Sequence, residues 1–273
     1  MNNKKFTIAQ ILPALNTGGV ERGVVEISKA LVDNDFRSIV ISSGGYMVSQ
    51  ITRNGGVHYN LNVHSKNPLK WSKIRVELKR ILESEKVDLI HFCSRAPAWI
   101  GVPLGAILEI PIITSVHMRF RKSNIFKQYY NSILTKGNSI IAISKHIEES
   151  IKNTFPKVSG KIKIIHRGVD LDLFNPSKIN PARIIAQSKH LNLKDNVPVI
   201  IMAARPAMWK GYQVLIKALS KVKHDFQCVL IGASDGNQKF QNILINKIIQ
   251  SKLETKIRLI NSTRDIQAAM ILG

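Results

Sequence analysis

Short apolar runs alternate with amphipathic segments along the whole chain. In the first 165 positions the apolar runs are 6–12, 37–42, 57–61, 89–92, 112–116, 139–143 and 162–165. Between them, apolar residues recur at helical spacing, as in 70–82, where Ile74, Leu78 and Ile81 share one face. The run 139–143 is apolar on both faces, which is typical of a buried parallel strand. The pattern predicts repeated β-α-β units and therefore an α/β fold.

A turn-rich passage at 168–176 interrupts this alternation and ends in Pro176. A second series follows it, with predicted strands at 199–203, 228–232 and 257–260 and predicted helices at 213–222, 240–252 and 265–272. We therefore predict two tandem Rossmann-like domains, residues 1–172 and 173–273, of which the second is incomplete. Ligands of such doubly wound sheets bind at the carboxyl ends of the strands.

Composition adds one feature to this picture, a large excess of positive charge. The chain has 40 Lys and Arg residues against 18 Asp and Glu, a formal net charge of +22. The excess is shared by both predicted domains, so it is not a basic tail. It would attract nucleic acid, an acidic membrane surface or phosphorylated ligands, although a drift in composition explains it equally well. A hydrophobic content of 44% excludes a disordered chain.

The cysteines and the longest apolar stretch bear on the compartment. Cys93 and Cys228 are far apart and lack the spacing of a disulfide framework or a zinc site, which fits a reducing cytosol. The stretch 100–116 is broken by Pro103 and Pro111, so we expect no membrane-spanning helix. We expect a cytoplasmic protein that is soluble or peripheral to a membrane.

Two loops that follow predicted strands are candidate ligand sites, one because it contains glycines and the other because it is basic. Gly18 and Gly19 come after the first strand and open a helix, where free amides favour an anion, although such a glycine pair is more often a plain strand-to-helix turn. Arg205 and Lys210 occupy one loop after strand 199–203, where two positive charges suit a diphosphate. Their alternative interpretation is a pair of solvated surface cations.

A histidine and a basic, aromatic segment are the remaining candidates. His117 directly follows strand 112–116. It either faces a ligand crevice at the carboxyl ends of the strands or is a structural residue. The segment 119–130 interleaves cations with aromatic residues, and it includes Arg119, Arg121 and Lys122. It predicts an interfacial surface on anionic lipid, a stacking platform for single-stranded nucleic acid, or simply a half-buried helix.

Taken together, these segments resemble a bacterial family 4 retaining glycosyltransferase of the GT-B fold. The matching stretches are Gly18 to Arg22, Thr114 to His117, Ala142 to Ser144, Gly168 to Asp170 with Phe174, Arg205 with Lys210 and Gly211, and Leu230 to Gly232. The passage 94–99 also resembles a subgroup that builds cell-envelope glycans such as lipopolysaccharide.

The resemblance implies a role for each candidate residue. The donor-binding residues would be Gly18, Gly19, Arg205 and Lys210, with the last two on the diphosphate. His117 would contact the transferred sugar and is the catalytic candidate, while Arg95 and Arg119 would lie on the acceptor side. The family needs no metal, because positive charge at the diphosphate stabilises the leaving nucleotide.

Two departures from the family pattern affect these expectations. The family carries two glutamates eight positions apart, which hold the donor sugar and the ribose, and the sequence has no such pair after Asp265. By this comparison the chain is expected to be the front three quarters of an enzyme, truncated at its C-terminus. In addition, His166 and Arg167 precede Gly168, where an asparagine is usual.

The leading hypothesis is transfer of a sugar, with retention, from a UDP-linked donor to a cell-envelope glycan or lipid-linked acceptor at the cytosolic face of the membrane. The nucleotide sugar is a substrate, and no cofactor is expected. The first alternative is an inactive or partner-dependent fragment of such an enzyme. The second is a basic nucleic-acid-binding module, although no helix-turn-helix, RRM or KH signature accompanies the charge.

Overall fold

A computed structural model describes residues 4–16, 18–65, 67–120, 124–235 and 238–273 of the chain. Two compact units are separated between Val169 and Asp170, three residues before the division expected from the sequence. Each unit is an α/β structure with its own parallel sheet, as the alternating pattern predicts.

The first unit is built on a seven-stranded parallel sheet in the order β3-β2-β1-β4-β5-β6-β7. Its strands are β1 Thr7–Ile11, β2 Arg37–Ser42, β3 Val57–Asn60, β4 Leu89–Phe92, β5 Ile112–Val116, β6 Ser139–Ala142 and β7 Ile162–Ile164. The order reverses between β1 and β4, where ligand crevices of doubly wound sheets form. The strand order therefore predicts a ligand site at the carboxyl ends of β1 and β4.

The helices of this unit, within its described residues, are α1 Gly19–Asp33, α2 Val48–Arg53, α3 Trp71–Ser84, α4 Arg95–Ile107, α5 Ile125–Ser132 and α6 Lys145–Thr154. The predicted apolar face of α3 is buried, with Ile74, Leu78 and Ile81 all in the core. Ile90 and Phe92 of β4 belong to the same core and share one face of the strand, while His91 between them points to the other face.

The second unit has a three-stranded parallel sheet in the order β10-β9-β8, formed by β8 Val199–Ala203, β9 Gln227–Ile231 and β10 Ile257–Ile260. Its helices are α7 Pro181–His190, α8 Tyr212–Leu219, α9 Gln238–Gln250 and α10 Ile266–Ile271. Tyr212, Ile216 and Leu244 pack into one core on this sheet. The predicted helix at 213–222 ends earlier, at Leu219, and the exposed residues beyond it form a turn.

The apolar stretch around Pro103 lies partly in α4, which continues through that proline. Across the described ranges, no helix is both long enough and apolar enough to span a bilayer.

Candidate functional site

Polar side chains occupy the buried carboxyl halves of the central strands in the first unit. Gln10 of β1 lies opposite His91 of β4, and Ser115 of β5 points to the same face because it is two residues beyond Ile113, the partner of His91. The Nε2 atom of His91 lies 2.6 Å from the Ser115 hydroxyl oxygen. The Gln10 amide is fully buried and has no partner among the described residues. Unsatisfied buried polar groups are costly, so they mark a place where function competes with stability.

His117 follows the end of β5 at the same edge of the sheet. Both of its ring nitrogens are buried, and neither has a hydrogen-bond partner among the described residues. Burial, with a smaller contribution from the charge of Arg167, lowers the pKa of His117 to about 4. Burial and then His117 lower the pKa of His91 to about 4 in the same way. Both imidazoles are therefore neutral at pH 7, and His117 has one donor and one acceptor to offer a ligand.

The glycine-containing loop places Gly18 at the N-cap of α1, and Thr17 lies outside the described residues. The carboxylate of Glu21 lies over Gly18, where it would overlap a β-carbon. A negative charge at this end of a helix is favourable. The amino end of α1 thus carries a carboxylate of its own next to the two glycines expected to approach the donor.

Arg167 joins this group from the loop that follows β7. A β-carbon on Gly19 would lie 3.6 Å from its Nη1 atom, and one on Gly23 would overlap the guanidinium. In the sequence, Arg167 stands out only as a departure from the family pattern. The signal that could have found it is the spacing of Gly19 and Gly23, which leaves one face of α1 bare over a full turn.

A cleft of about 530 Å³ opens beside His117. It is lined by Val20, Cys93, Ser94, Arg95, Ser115, Val116, His117, Met118, Arg119, Phe120, Lys127, Asn131 and Leu134. The structure therefore brings together three predicted residues, His117, Arg95 and Arg119. Burial raises the pKa of the Cys93 thiol to about 12, so this cysteine is not a nucleophile.

The basic, aromatic segment divides into buried and exposed parts. Phe120 is buried and packs edge-on against Phe155 at a ring separation of 5.5 Å. Phe126 and Tyr129 on α5 are exposed. Arg121 and Lys122 lie outside the described residues.

Arg205 and Lys210 lie in the second unit, in the loop between β8 and α8. Both are exposed, and neither forms an ion pair within the described part of the chain. The Tyr212 hydroxyl donates a hydrogen bond to the Ala204 carbonyl, which fixes the start of the loop. Gly211 ends the loop with φ of 86°, a left-handed conformation that favours glycine. The loop therefore presents two cations at the carboxyl edge of this sheet, beside the amino end of a helix.

Comparison with known proteins identifies the family. The family described as Glycosyltransferase Family 4 matches residues 17–173. A crystal structure of a glycosyltransferase from Rickettsia africae is 34% identical, with a TM-score of 0.83, over 99% of this chain and 72% of that one. Anabaena HepE, solved in complex with UDP and glucose, has a TM-score of 0.81 at 19% identity over 97% of this chain and 71% of that one, which shows the fold alone.

The spore coat protein SA of Bacillus subtilis is 26% identical over 183 residues, or 65% of this chain and 46% of that protein. The chain spans less than two thirds of the length of the curated relatives that it matches. The fold of both units is that of the GT-B glycosyltransferases, as expected from the sequence. With a match to the family over more than half of its residues, the chain belongs to glycosyltransferase family 4.

Proposed function

We propose that the chain takes part in the transfer of a sugar from a nucleotide-sugar donor, specifically a UDP-linked one, to a hydroxyl group of the acceptor. The observation that carries the proposal is His117, whose two buried ring nitrogens lack partners at the carboxyl edge of the sheet. A sugar has hydroxyl groups that can both donate to and accept from a neutral imidazole. Binding of UDP and glucose by a protein of the same fold, Anabaena HepE, supports this assignment of the donor.

The departing nucleotide is the second requirement of the reaction. Negative charge grows on the diphosphate as the sugar leaves, and preorganised cations lower the barrier by stabilising that charge. Arg205 and Lys210 are free of carboxylate partners in the described structure, so their charge is available to a diphosphate. On this proposal no metal is needed, because these side chains and the adjacent helix end supply the positive charge.

Retention of configuration follows if the acceptor attacks from the face that the nucleotide leaves. A double displacement through the protein would need a carboxylate nucleophile beside the sugar. The residues that line the cleft at His117 include neither Asp nor Glu. We therefore propose front-face attack, with the leaving phosphate accepting the proton of the acceptor hydroxyl.

For the acceptor we propose a cell-envelope glycan or a lipid-linked precursor, reached at the cytosolic face of a membrane. The support comes from α5, where Ile125 and Phe126 are 82% and 83% exposed and Tyr129 is 66% exposed. Apolar side chains with neighbouring cations, here Arg119 and Lys127, are the composition of interfacial helices on anionic lipid. The family match favours this function over a nucleic-acid-binding module.

The test is calorimetric titration of the purified chain with UDP, UDP-glucose, GDP-mannose and ADP-glucose. We expect the UDP compounds to bind more tightly than the others, and we expect Lys210→Ala to weaken the binding of the UDP compounds. Equal affinity for all four, or no effect of Lys210→Ala, would contradict the proposed donor. Lys217→Ala, an exposed lysine at the far end of α8, is the matched control.

A further inference from the structure

The cleft beside His117 is lined by positively charged residues. Its thirteen lining residues include Arg95, Arg119 and Lys127 and no carboxylate. The cations come from separate elements, since Arg95 begins α4, Arg119 follows β5 and Lys127 lies on α5. The fold thus assembles three charges that are distant in the sequence around one cavity.

Arg95 is the best fixed of the three. Its Nη1 atom donates a hydrogen bond of 2.7 Å to the Asn131 side-chain oxygen, and its guanidinium carbon lies 5.6 Å from the centre of the Tyr130 ring. Tyr130 in turn stacks on Trp99, one helical turn beyond Arg95, at 6.4 Å. All of these partners are neutral. The guanidinium is therefore held in place and partly removed from water, with no counter-charge among the described residues.

An unpaired cation is not informative by itself in a chain with 40 basic and 18 acidic residues. Arg95 is informative because it is half-buried, is oriented by neutral groups and also lines the cleft. Some arginines of the described structure are held by carboxylates, as in the pair Arg37 with Glu85. Others are held by neutral groups, as Arg75 is by two backbone carbonyls, but Arg75 does not line this cleft. A positioned arginine without a carboxylate is what a phosphate-binding site requires.

Exposed cations and exposed apolar side chains occur together at the rim of the cleft, which restricts the ligand further. Met118, a lining residue, is 61% exposed, and the exposed Ile125, Phe126 and Tyr129 lie on α5, the helix that also carries Lys127. Large apolar side chains gathered at one surface mark an interaction site. A ligand that satisfies both parts carries a phosphate for the cations and a hydrocarbon chain for the rim.

We propose that this cleft binds the phosphate of a lipid-linked acceptor, a phosphate or diphosphate ester that carries a hydrocarbon chain. The inference rests on the proposed function and names its acceptor class. Arg95 holds the phosphate, Arg119 and Lys127 add charge, and the exposed face of α5 contacts the chain or the surrounding bilayer. His117 lines the same cavity, so the anchored acceptor lies next to the group assigned to the sugar.

The test uses three soluble probes, namely inorganic phosphate, dodecyl phosphate below its micellar concentration, and the neutral detergent dodecyl maltoside. We expect dodecyl phosphate to bind most tightly, because only it matches both the cations and the rim. Arg95→Gln should weaken its binding at least about tenfold, the range for loss of a charge-assisted hydrogen bond. Arg95→Lys, which keeps the charge, should retain part of the affinity.

Lys127→Gln should weaken the binding of dodecyl phosphate several-fold. Lys157 is an exposed cation outside the cleft, so Lys157→Gln should leave this binding unchanged. Tight binding of dodecyl maltoside, or unchanged binding by Arg95→Gln, would overturn the proposal. A parallel loss of UDP affinity in Arg95→Gln would also overturn it, because the cleft would then serve the donor. Dodecyl phosphate binding without any binding of UDP would refute the proposed donor and leave the phosphate site standing.

Discussion

The guanidinium of Arg167 rests on the first turns of α1, in the space left by the missing side chain of Gly23. The same guanidinium contributes to the low pKa of His117, after the larger effect of burial. The loop after β7, the glycines of α1 and the candidate catalytic histidine therefore form one electrostatic unit.

The first prediction concerns that unit. Arg167→Gln should raise the pKa of His117, because a neighbouring cation disfavours the protonated ring. The pKa should stay below 6.5, since burial is the larger cause and is retained. NMR titration of the imidazole signals measures the change, with Arg53→Gln on α2 as a control. An unchanged pKa of His117 in Arg167→Gln would show that the charge of Arg167 does not act on His117.

Stability should fall in weakly acidic solution. His91 and His117 have pKa values of about 4 in the folded chain and about 6.5 when unfolded, so between those values the unfolded state binds more protons. Each histidine then costs about 1.4 kcal/mol of unfolding free energy per pH unit as the pH falls. Burial also lowers the pKa of His58, which adds to the loss.

Urea unfolding between pH 7 and pH 5 measures this effect above the range in which carboxylates titrate. His91→Gln keeps a donor for Ser115 and removes one titrating group, so its stability should depend less steeply on pH than that of the wild type. The same slope in both proteins would mean that His91 does not remain neutral in the folded chain.

The loop after β8 should discriminate by charge on the ligand. Arg205→Ala and Lys210→Ala should each weaken UDP binding about tenfold or more, the magnitude of a lost charge-assisted hydrogen bond. Neither substitution should weaken the binding of uridine, because uridine has no phosphate. Calorimetry with both ligands makes the comparison, and Lys217→Ala should change neither. Loss of uridine affinity would instead point to a distorted loop.

Tyr212→Phe tests how that loop is held. The change removes only the hydroxyl group that donates to the Ala204 carbonyl and keeps the buried ring. We expect a loss of about 1 to 2 kcal/mol in unfolding free energy and a smaller loss of UDP affinity. Urea unfolding gives the first quantity, with Tyr129→Phe, an exposed tyrosine, as the comparison. Unaltered stability would show that the hydrogen bond does not anchor the loop.

Local patterns predict most of the fold. Strands β2, β4 and β5 have their expected bounds, because buried parallel strands are continuous apolar runs that end at turn residues. The place of His117 at the carboxyl end of β5 follows from the same pattern. The hydrogen bonding and the protonation state of His117 do not follow from it, because they depend on burial by residues distant in the sequence.

Residues brought in by other elements are what the sequence cannot predict. Arg167 meets α1 through a loop more than 140 positions away, and nothing local to either segment indicates the contact. Phe120 and Phe126 are both aromatic residues in one basic segment, but Phe120 enters the core and Phe126 faces solvent. The choice depends on whether a neighbouring element, here the one carrying Phe155, offers a partner.

The most direct test of the central claim is transfer of labelled sugar. The purified chain is incubated with a panel of labelled nucleotide sugars and a lipid extract of cell envelope, and label in the lipid fraction is measured. We expect at least one UDP-linked sugar to label the lipid, and we expect His117→Ala and Lys210→Ala to abolish the signal while Lys217→Ala does not. No labelling from any donor, or full labelling by Lys210→Ala, would contradict the proposed function.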